Sequence, residues 1–346
     1  MSGAYSLNEN TSLIARNGFR VPSRAEIFID VRKESGLVEV MSMPYLRSAP
    51  VLVLGEGSNT LLVGDVPGVV ISVGALGREI IEDQGSHVVL RVAAGEHWDD
   101  VVRWTLGLGL AGLENLVLIP GTMGAAPIQN IGAYGTEVGE FIDAVTAFDR
   151  TTQQSVRLNQ DECLFGYRDS LFKQQAGRWL ITSVDLRLPR TQTPRISYPG
   201  IPEELEQIGA GDAPRPSRIA EAITRLRTRK LPNPNLLPNV GSFFRNPVVS
   251  NEVAELLQRE HPNLVTFSPS ATQRKVSAAW LIEQSGWKGF REGDAGVSEQ
   301  HALVLVNYGN ATGHDILDLA RRVSASVEQR FGIALEPEAR IIGATW

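Results

Sequence analysis

A single cysteine, Cys163, is the only thiol in 346 residues, and five histidines are scattered without metal-ligand spacing, so neither a disulfide framework nor a zinc site is available. Cys163 lies in Asp161-Glu162-Cys163-Leu164-Phe165 and reads as a small buried apolar side chain with no chemical role. No apolar run reaches the ~18 residues of a membrane span. The first twenty residues carry Asn8, Glu9, Asn10 and Arg16 without the apolar stretch of a secretory signal. A cytoplasmic protein with no membrane partner is expected. Positive charge is in deficit: 33 Lys and Arg against 39 Asp and Glu leave −6. That argues against a nucleic-acid partner, which needs a broad basic surface; any anionic ligand has to be met by a local basic patch. There is no Walker A sequence, no G-x-S-x-G elbow and no internal repeat.

What is present is the pattern of a folded chain of two or more domains, with 42% hydrophobic and 21% charged residues. Val51–Leu54, Val69–Val73 and Val88–Val92 are short β-branched runs closed by Gly or Ala, and read as strands. Trp98–Leu106 has a partial helical pattern stopped by Gly107 and Gly109. Val145–Phe148 and Val184–Leu188 are further strands. From Pro189 to Pro216 six prolines punctuate a poorly patterned stretch, where the main domain boundary is expected. Ile219, Ala222, Ile223 and Leu226 then recur at helical spacing behind Ser217 as N-cap, in a helix expected to open the second half. Ala302–Val306, the helix through Ile316 and Val327, and Ile333-Ala334-Leu335 suggest a β-α-β unit. The fold class is α+β.

Several segments carry chemistry. Gly55-Glu56-Gly57-Ser58-Asn59 follows a strand, and its missing β-carbons allow positive φ and bring backbone N–H groups toward phosphate oxygens. Thr60 replaces the last glycine of the Rossmann fingerprint and no amphipathic helix follows; a tight turn without a ligand fits the segment as well. Pro120 to Gly135 is dense in Gly and Ala, uncharged, with Gln129, Asn130 and Tyr134 as polar side chains. It suits the pyrophosphate and rings of a dinucleotide, and helix–helix packing is the alternative. Arg215, Arg218, Arg225, Arg227, Arg229 and Lys230 concentrate on one helix opposed by Glu221, either a solvated face or a place where Arg227 or Lys230 meets an anion. Glu336 and Glu338, two apart, do not flank a scissile bond as a glycosidase pair would.

Taken in order, Asn10-Thr11, Gly55–Asn59, Gly112-Leu113-Glu114-Asn115-Leu116, Pro120–Gly135, Phe165-Gly166-Tyr167-Arg168-Asp169-Ser170, Lys230-Leu231-Pro232, Gly241-Ser242-Phe243-Phe244-Arg245-Asn246-Pro247 and Leu335-Glu336-Pro337-Glu338 span nearly the whole chain. This series resembles the motifs of the UDP-N-acetylenolpyruvoylglucosamine reductases (UDP-N-acetylmuramate dehydrogenases, MurB) of bacterial peptidoglycan synthesis. The resemblance implies a two-lobed FAD-binding region of the vanillyl-alcohol-oxidase (PCMH) type over residues 1–190, with lobes of about 1–75 and 76–190. A linker or substrate loop over 191–214, a substrate domain over 215–335 and a returning tail over 336–346 would follow.

It further implies non-covalent FAD, NADPH as hydride donor, and hydride delivery to an enolpyruvyl ether with a proton added at the neighbouring carbon. By motif position Ser242 resembles the proton donor, and Arg168 and Glu338 resemble the pair that polarises the substrate carboxylate. Gly55, Glu56, Gly57, Ser58, Asn59, Pro120, Gly121, Ala125, Ala126, Gln129, Asn130, Ile131, Gly132, Ala133 and Tyr134 correspond to the cofactor site. Tyr167, Tyr198, Arg227, Lys230, Asn246 and His301 correspond to the substrate site, Tyr198 on a closing loop. His301 departs from the pattern, since many members have glutamine before the Ala-Leu-Val strand, and here Gln300 lies one residue earlier. A monomer is the implied form. The competing readings are another oxidoreductase on the same FAD-binding architecture and a nucleotide-sugar binding protein without turnover.

Overall fold

The computed structural model describes residues 3–47, 49–267, 270 and 272–346. It divides into two units whose segments alternate along the chain. The first comprises the chain up to Thr11, Ala25–Glu56 and Pro67–Arg227; the second comprises Ser12–Arg24, Gly57–Val66 and Thr228–Trp346.

The first unit contains two sheets. In the smaller, the strands run Tyr5–Ser12, Arg24–Val31, Val66–Val73, Val51–Val53 across the sheet, the last two parallel. The Glu34–Ser42 helix covers it by burying Leu37, Val40 and Met41 against Ile29, Val31, Val69 and Ile71. The larger sheet is antiparallel between neighbours, in the order Gln154–Asn159, Ile142–Asp149, Trp179–Pro189, His87–Ala93, Arg78–Asp83. Side chains alternate across a strand, and Leu90, Val92, Val145, Val184 and Leu186 face one core while Arg91, Arg157 and Asp185 stand on the other side. The Trp98–Gly107 helix packs on the core face through Trp98, Val101, Val102 and Thr105, and Trp98 Nε1 donates to the Leu116 carbonyl at 2.8 Å. Asp99 and Asp100 occupy its first turn, where carboxylates oppose the positive end of the helix dipole.

The Pro216–Lys230 helix corrects the expected boundary. Its Ile219, Ala220, Ala222, Ile223 and Leu226 bury in the core of the large sheet, so all but its last turn belongs to the first unit rather than opening the second. Ser217 lies inside the helix rather than capping it.

The second unit is gathered from distant segments. Arg340–Ile342 pairs in parallel with Thr60–Leu62. The Gly313–Phe331 helix lies against that strand at Gly313, where a β-carbon would overlap the Leu62 carbonyl. Thr312 and Asp315 form a reciprocal capping box at its start and Gly332, at φ 67°, ends it. The expected β-α-β unit is therefore not formed. Leu305–Asn307 joins Ala295–Val297 and Arg291–Glu292 in a separate three-stranded sheet, and residues 333–335 are not a strand. A third small sheet, Val248–Ser250, Gln273–Val276 and Thr266–Phe267, completes the unit with the Asn251–Glu260 helix. None of the helices among the described residues is long and apolar enough to cross a membrane.

Two buried groups generate tests. Thr136 is 2% exposed, opposite Ala133 in a short hairpin, and its hydroxyl has no hydrogen-bond partner among the described residues. Thr136→Val removes an unsatisfied polar atom at nearly constant shape, so unfolding stability is expected to hold or rise by about 1 kcal/mol, read as the thermal midpoint. Cys163 is fully buried, and burial pushes its thiol up to about 12. Iodoacetamide at pH 8 is expected to label it only after denaturation, as mass spectrometry would show.

Candidate active site

In the first unit the glycine-rich segments interlock through backbone. Met123 and Gly124 N–H donate to the Glu96 and Ala94 carbonyls at 2.7 and 2.9 Å, and Trp98 N–H donates to the Gly121 carbonyl at 2.9 Å. A β-carbon on Gly124 would come within 2.7 Å of Ala94 Cβ, and one on Gly55 within 3.0 Å of Thr122 Oγ1. Small residues are needed for this approach. Among the described residues nothing accepts from the N–H groups of Gly55 and Glu56. Unspent backbone donors at a strand end are the chemistry that takes a phosphate. By this measure the residues fit a dinucleotide cofactor. The Glu56 carboxylate, in turn, meets His97 Nδ1 at 2.5 Å; His97 did not stand out in the sequence, its signal being only a polar residue just before the Trp98 helix.

Arg168 is held by the end of the Pro120–Gly135 segment. Asn130, at φ 46° and 2% exposed, accepts from Gly139 N–H at 2.8 Å and donates to Glu137 Oε2 and the Gly166 carbonyl, both at 2.9 Å. Gly166 and Asp169 exchange backbone bonds in a tight turn that carries Tyr167 and Arg168, the latter at φ 54°. Arg168 Nη2 donates to the Gly132 carbonyl at 2.6 Å, Nη1 lies 3.8 Å from Glu137 Oε1, and the guanidinium carbon sits 5.2 Å from the Tyr167 ring centroid. A β-carbon on Gly132 would fall 2.8 Å from Arg168 Nη1 and 2.9 Å from Glu137 Cγ. Glu137 is thus a neighbour of Arg168 that the sequence alone does not single out. Its available signal was its place as the first charge after an uncharged stretch.

The structure also redistributes the expected cofactor contacts. The Asn130 amide is committed to protein, and Ala126 and Ile131 join the core. Ala125, Gln129, Gly132, Ala133 and Tyr134 keep partial exposure, and Pro120 is exposed. The Tyr134 ring meets Tyr198 edge-on, with centroids 5.1 Å apart at 78°. The Arg227 guanidinium interacts electrostatically with the Tyr134 phenol and reaches the Leu118 carbonyl at 3.3 Å. Burial raises the Tyr134 and Tyr198 phenols and lowers the Arg227 guanidinium from its ordinary value. Three residues assigned separately from sequence are therefore one cluster.

In the second unit Ser242 and Glu338 lie on adjoining segments. Ser242 pairs with Val304 and Phe244 with Pro337, while Phe243 donates N–H to the Leu303 carbonyl and accepts from Glu338 N–H, both at 2.8 Å. Gly241 allows the turn before Ser242 by taking φ 73°. Asn59 Nδ2 donates to the Glu338 carbonyl at 3.2 Å, and the Asn59 carbonyl accepts from Arg340 N–H at 3.0 Å, so this asparagine steadies the Glu338 segment. Asn246 Oδ1 accepts from Ala278 N–H at 2.9 Å. Lys230 is exposed. His301 Nδ1 accepts from Leu303 N–H at 3.3 Å, which places the ring proton on Nε2. Burial, then Lys230 and Lys288, press the His301 pKa below its usual value, so the ring is a neutral donor. No group of carboxylates, histidines or cysteine among the described residues is arranged to hold a metal.

Residues 25–154 match a family model described as an FAD binding domain, and residues 233–342 match that of the UDP-N-acetylenolpyruvoylglucosamine reductase C-terminal domain. UDP-N-acetylenolpyruvoylglucosamine reductase of Xanthomonas euvesicatoria pv. vesicatoria (strain 85-10) is 50% identical over 343 residues, covering 99% of this chain and 98% of the relative. The Xylella fastidiosa (strain 9a5c) enzyme of the same name is 48% identical over 341 residues, covering 98% and 97%. Among solved structures, UDP-N-acetylenolpyruvylglucosamine reductase (MurB) from Thermus caldophilus superposes with a TM-score of 0.65 at 26% identity, covering 97% of this chain and 98% of that one. With half its residues shared across nearly its full length, the chain belongs to the UDP-N-acetylenolpyruvoylglucosamine reductase family.

Proposed function

We propose that Ser242, Arg168 and Glu338 carry the chemistry by which this FAD-binding chain reduces the enolpyruvyl ether of UDP-N-acetylenolpyruvoylglucosamine to UDP-N-acetylmuramate, with NADPH as electron donor. The reaction and the cofactor follow from family membership. NADPH, the residue roles, a monomeric state and a cytoplasmic location are part of the proposal. FAD, when bound, supplies hydride transfer from a nicotinamide to carbon. Gly55 and Glu56 offer it backbone donors, and the partly exposed Ala125, Gln129 and Gly132–Tyr134 offer it a flat, uncharged wall.

Arg168 is suited to bind the substrate carboxylate, because the Gly132 carbonyl and Glu137 fix its guanidinium before any ligand arrives. Ser242 would give its hydroxyl proton to the carbon beside the one that receives hydride. A serine hydroxyl is a weak acid, so this step needs the negative charge that builds on the carboxylate side to be stabilised as the proton moves. Glu338, on the segment adjoining Ser242, is the carboxyl group that would help Arg168 polarise the substrate carboxylate. Lys230, Asn246 and the His301 Nε2–H supply cationic and neutral donors for the diphosphate and uridine portion, and Tyr167, Tyr198 and Arg227 are further proposed substrate residues. The single observation that carries the assignment is the backbone pairing that sets Ser242 and Glu338 on neighbouring segments.

The test separates the half-reactions anaerobically. NADPH is expected to bleach the flavin absorbance of both wild type and Ser242→Ala at similar rates. Addition of the enolpyruvyl nucleotide sugar is expected to restore it several hundred times more slowly in the variant. Equal slowing of both phases removes Ser242 from the proton transfer. Gly132→Ala is expected to displace Arg168 and lower kcat/KM per bound FAD at least tenfold, because a β-carbon there meets the guanidinium. Steady-state kinetics beside an FAD assay would show it; an unchanged kcat/KM means that Arg168 does not need that position.

A further inference from the structure

The large sheet of the first unit has a second hollow, on the side away from its core. A cavity of ≈ 350 Å³ is lined by Lys33, Glu34 and Leu37 at the start of the Glu34–Ser42 helix, by Val31, Val73 and Ala75 at strand ends, and by Arg91, Arg157, Thr146, Thr182 and Ser183 on the sheet. None of these residues is a cofactor or substrate residue of the reaction above. The volume is at the lower end of small-molecule sites.

Its two guanidiniums are fixed from below. Asp185, whose side chain is 1% exposed, accepts from Arg91 Nε and Nη2 at 2.8 and 2.9 Å and from Arg157 Nη2 at 2.9 Å. Arg157 Nη2 also reaches Asp143 at 3.1 Å. These bonds leave one Nη1 on each arginine with no acceptor among the described residues, and the Lys33 ammonium has none either. Glu34 on the rim accepts from Ser155 Oγ at 2.7 Å. Lys33, Arg91, Arg157 and Arg187 are set against Glu34, Glu79, Asp143 and Asp185, so the surroundings balance in charge and what the hollow offers an anion is its unspent N–H donors. Thr146 and Ser183, directly paired across the sheet, add hydroxyls, and Val31, Leu37, Val73 and Ala75 make an apolar wall.

From this geometry we propose a second ligand site, for a small organic phosphate whose apolar body lies on the Val31–Leu37–Val73–Ala75 wall and whose oxygens take the Arg91, Arg157 and Lys33 donors. A tetrahedral phosphate with several oxygens suits three separate cationic donors and two hydroxyls better than a single planar carboxylate does. The arginines need no reorganisation, because Asp185 already holds them.

Phenyl phosphate serves as probe in calorimetric titration of the FAD-loaded protein at fixed ionic strength. Binding with a dissociation constant near or below about 1 mM is expected, and phenol and chloride should not substitute. Lys33→Glu and Ser183→Glu each place a carboxylate in the hollow and should weaken binding at least tenfold while flavin content and thermal midpoint stay level. Lys230→Ala should leave it unchanged. No binding at 10 mM probe (about ten times the expected constant), binding indifferent to both substitutions, equal binding of phenol, or binding abolished by Lys230→Ala overturns the proposal.

Discussion

The buried amide of Asn130 is the interaction on which the Arg168 surface of the first unit depends. It joins the end of the glycine-rich stretch, the Glu137 hairpin, the Gly139 turn and the Tyr167–Arg168 turn through three hydrogen bonds at 2.8–2.9 Å. Buried amides that lose a partner leave the others unsatisfied, at about 1–3 kcal/mol each, so these four pieces move together or not at all. The room for this comes from what the side chains omit. Gly139 admits the Asn130 side-chain oxygen and Gly132 admits the Arg168 guanidinium, and a β-carbon at either would lie within 3 Å of its neighbour. An uncharged, small-residue segment is therefore what places a charged residue accurately.

The second unit solves the same problem with backbone pairing instead of a buried amide. The Ser242 turn is gripped on one side by residues 303–304 and on the other by residues 337–339, and Asn59 braces the latter. In the proposed role of Ser242 as proton donor, position matters most, because a hydroxyl's intrinsic acidity contributes little. Paired extended segments do this with main-chain bonds that no side-chain rotation can loosen.

Much of this was legible in the sequence. The strands at 51–53, 66–73, 87–93, 142–149 and 179–189 and the helices at 98–107 and 313–331 show the apolar periodicity of half-buried elements. The glycine segments stood out because their composition has few other uses. What was hidden depends on contacts far apart in the chain. Nothing local says that Thr60–Leu62 pairs with Arg340–Ile342, nor that the arginine-rich helix buries its apolar face in the preceding sheet's core. The proline-rich stretch before that helix holds a short helix, Ile201–Gln207, whose Ile201 and Leu205 join the first unit's core, so it is not a boundary. Asn130 and Asn59 illustrate a further blind spot: an amide read as a ligand for a cofactor is equally able to be a brace, and only its neighbours decide.

The parallel pairing of Thr60–Leu62 with Arg340–Ile342 sets a timetable for synthesis. A ribosome adding ~5–20 residues per second needs roughly 15 to 55 s to travel between the two partners. Throughout that interval the Thr60–Leu62 strand waits with an open edge, while the intervening segment that supplies most of the first unit has already emerged and is free to fold. Nascent chains of this architecture thus carry an unfinished, pairing-competent edge through most of translation, and the completed second unit marks the end of that exposure.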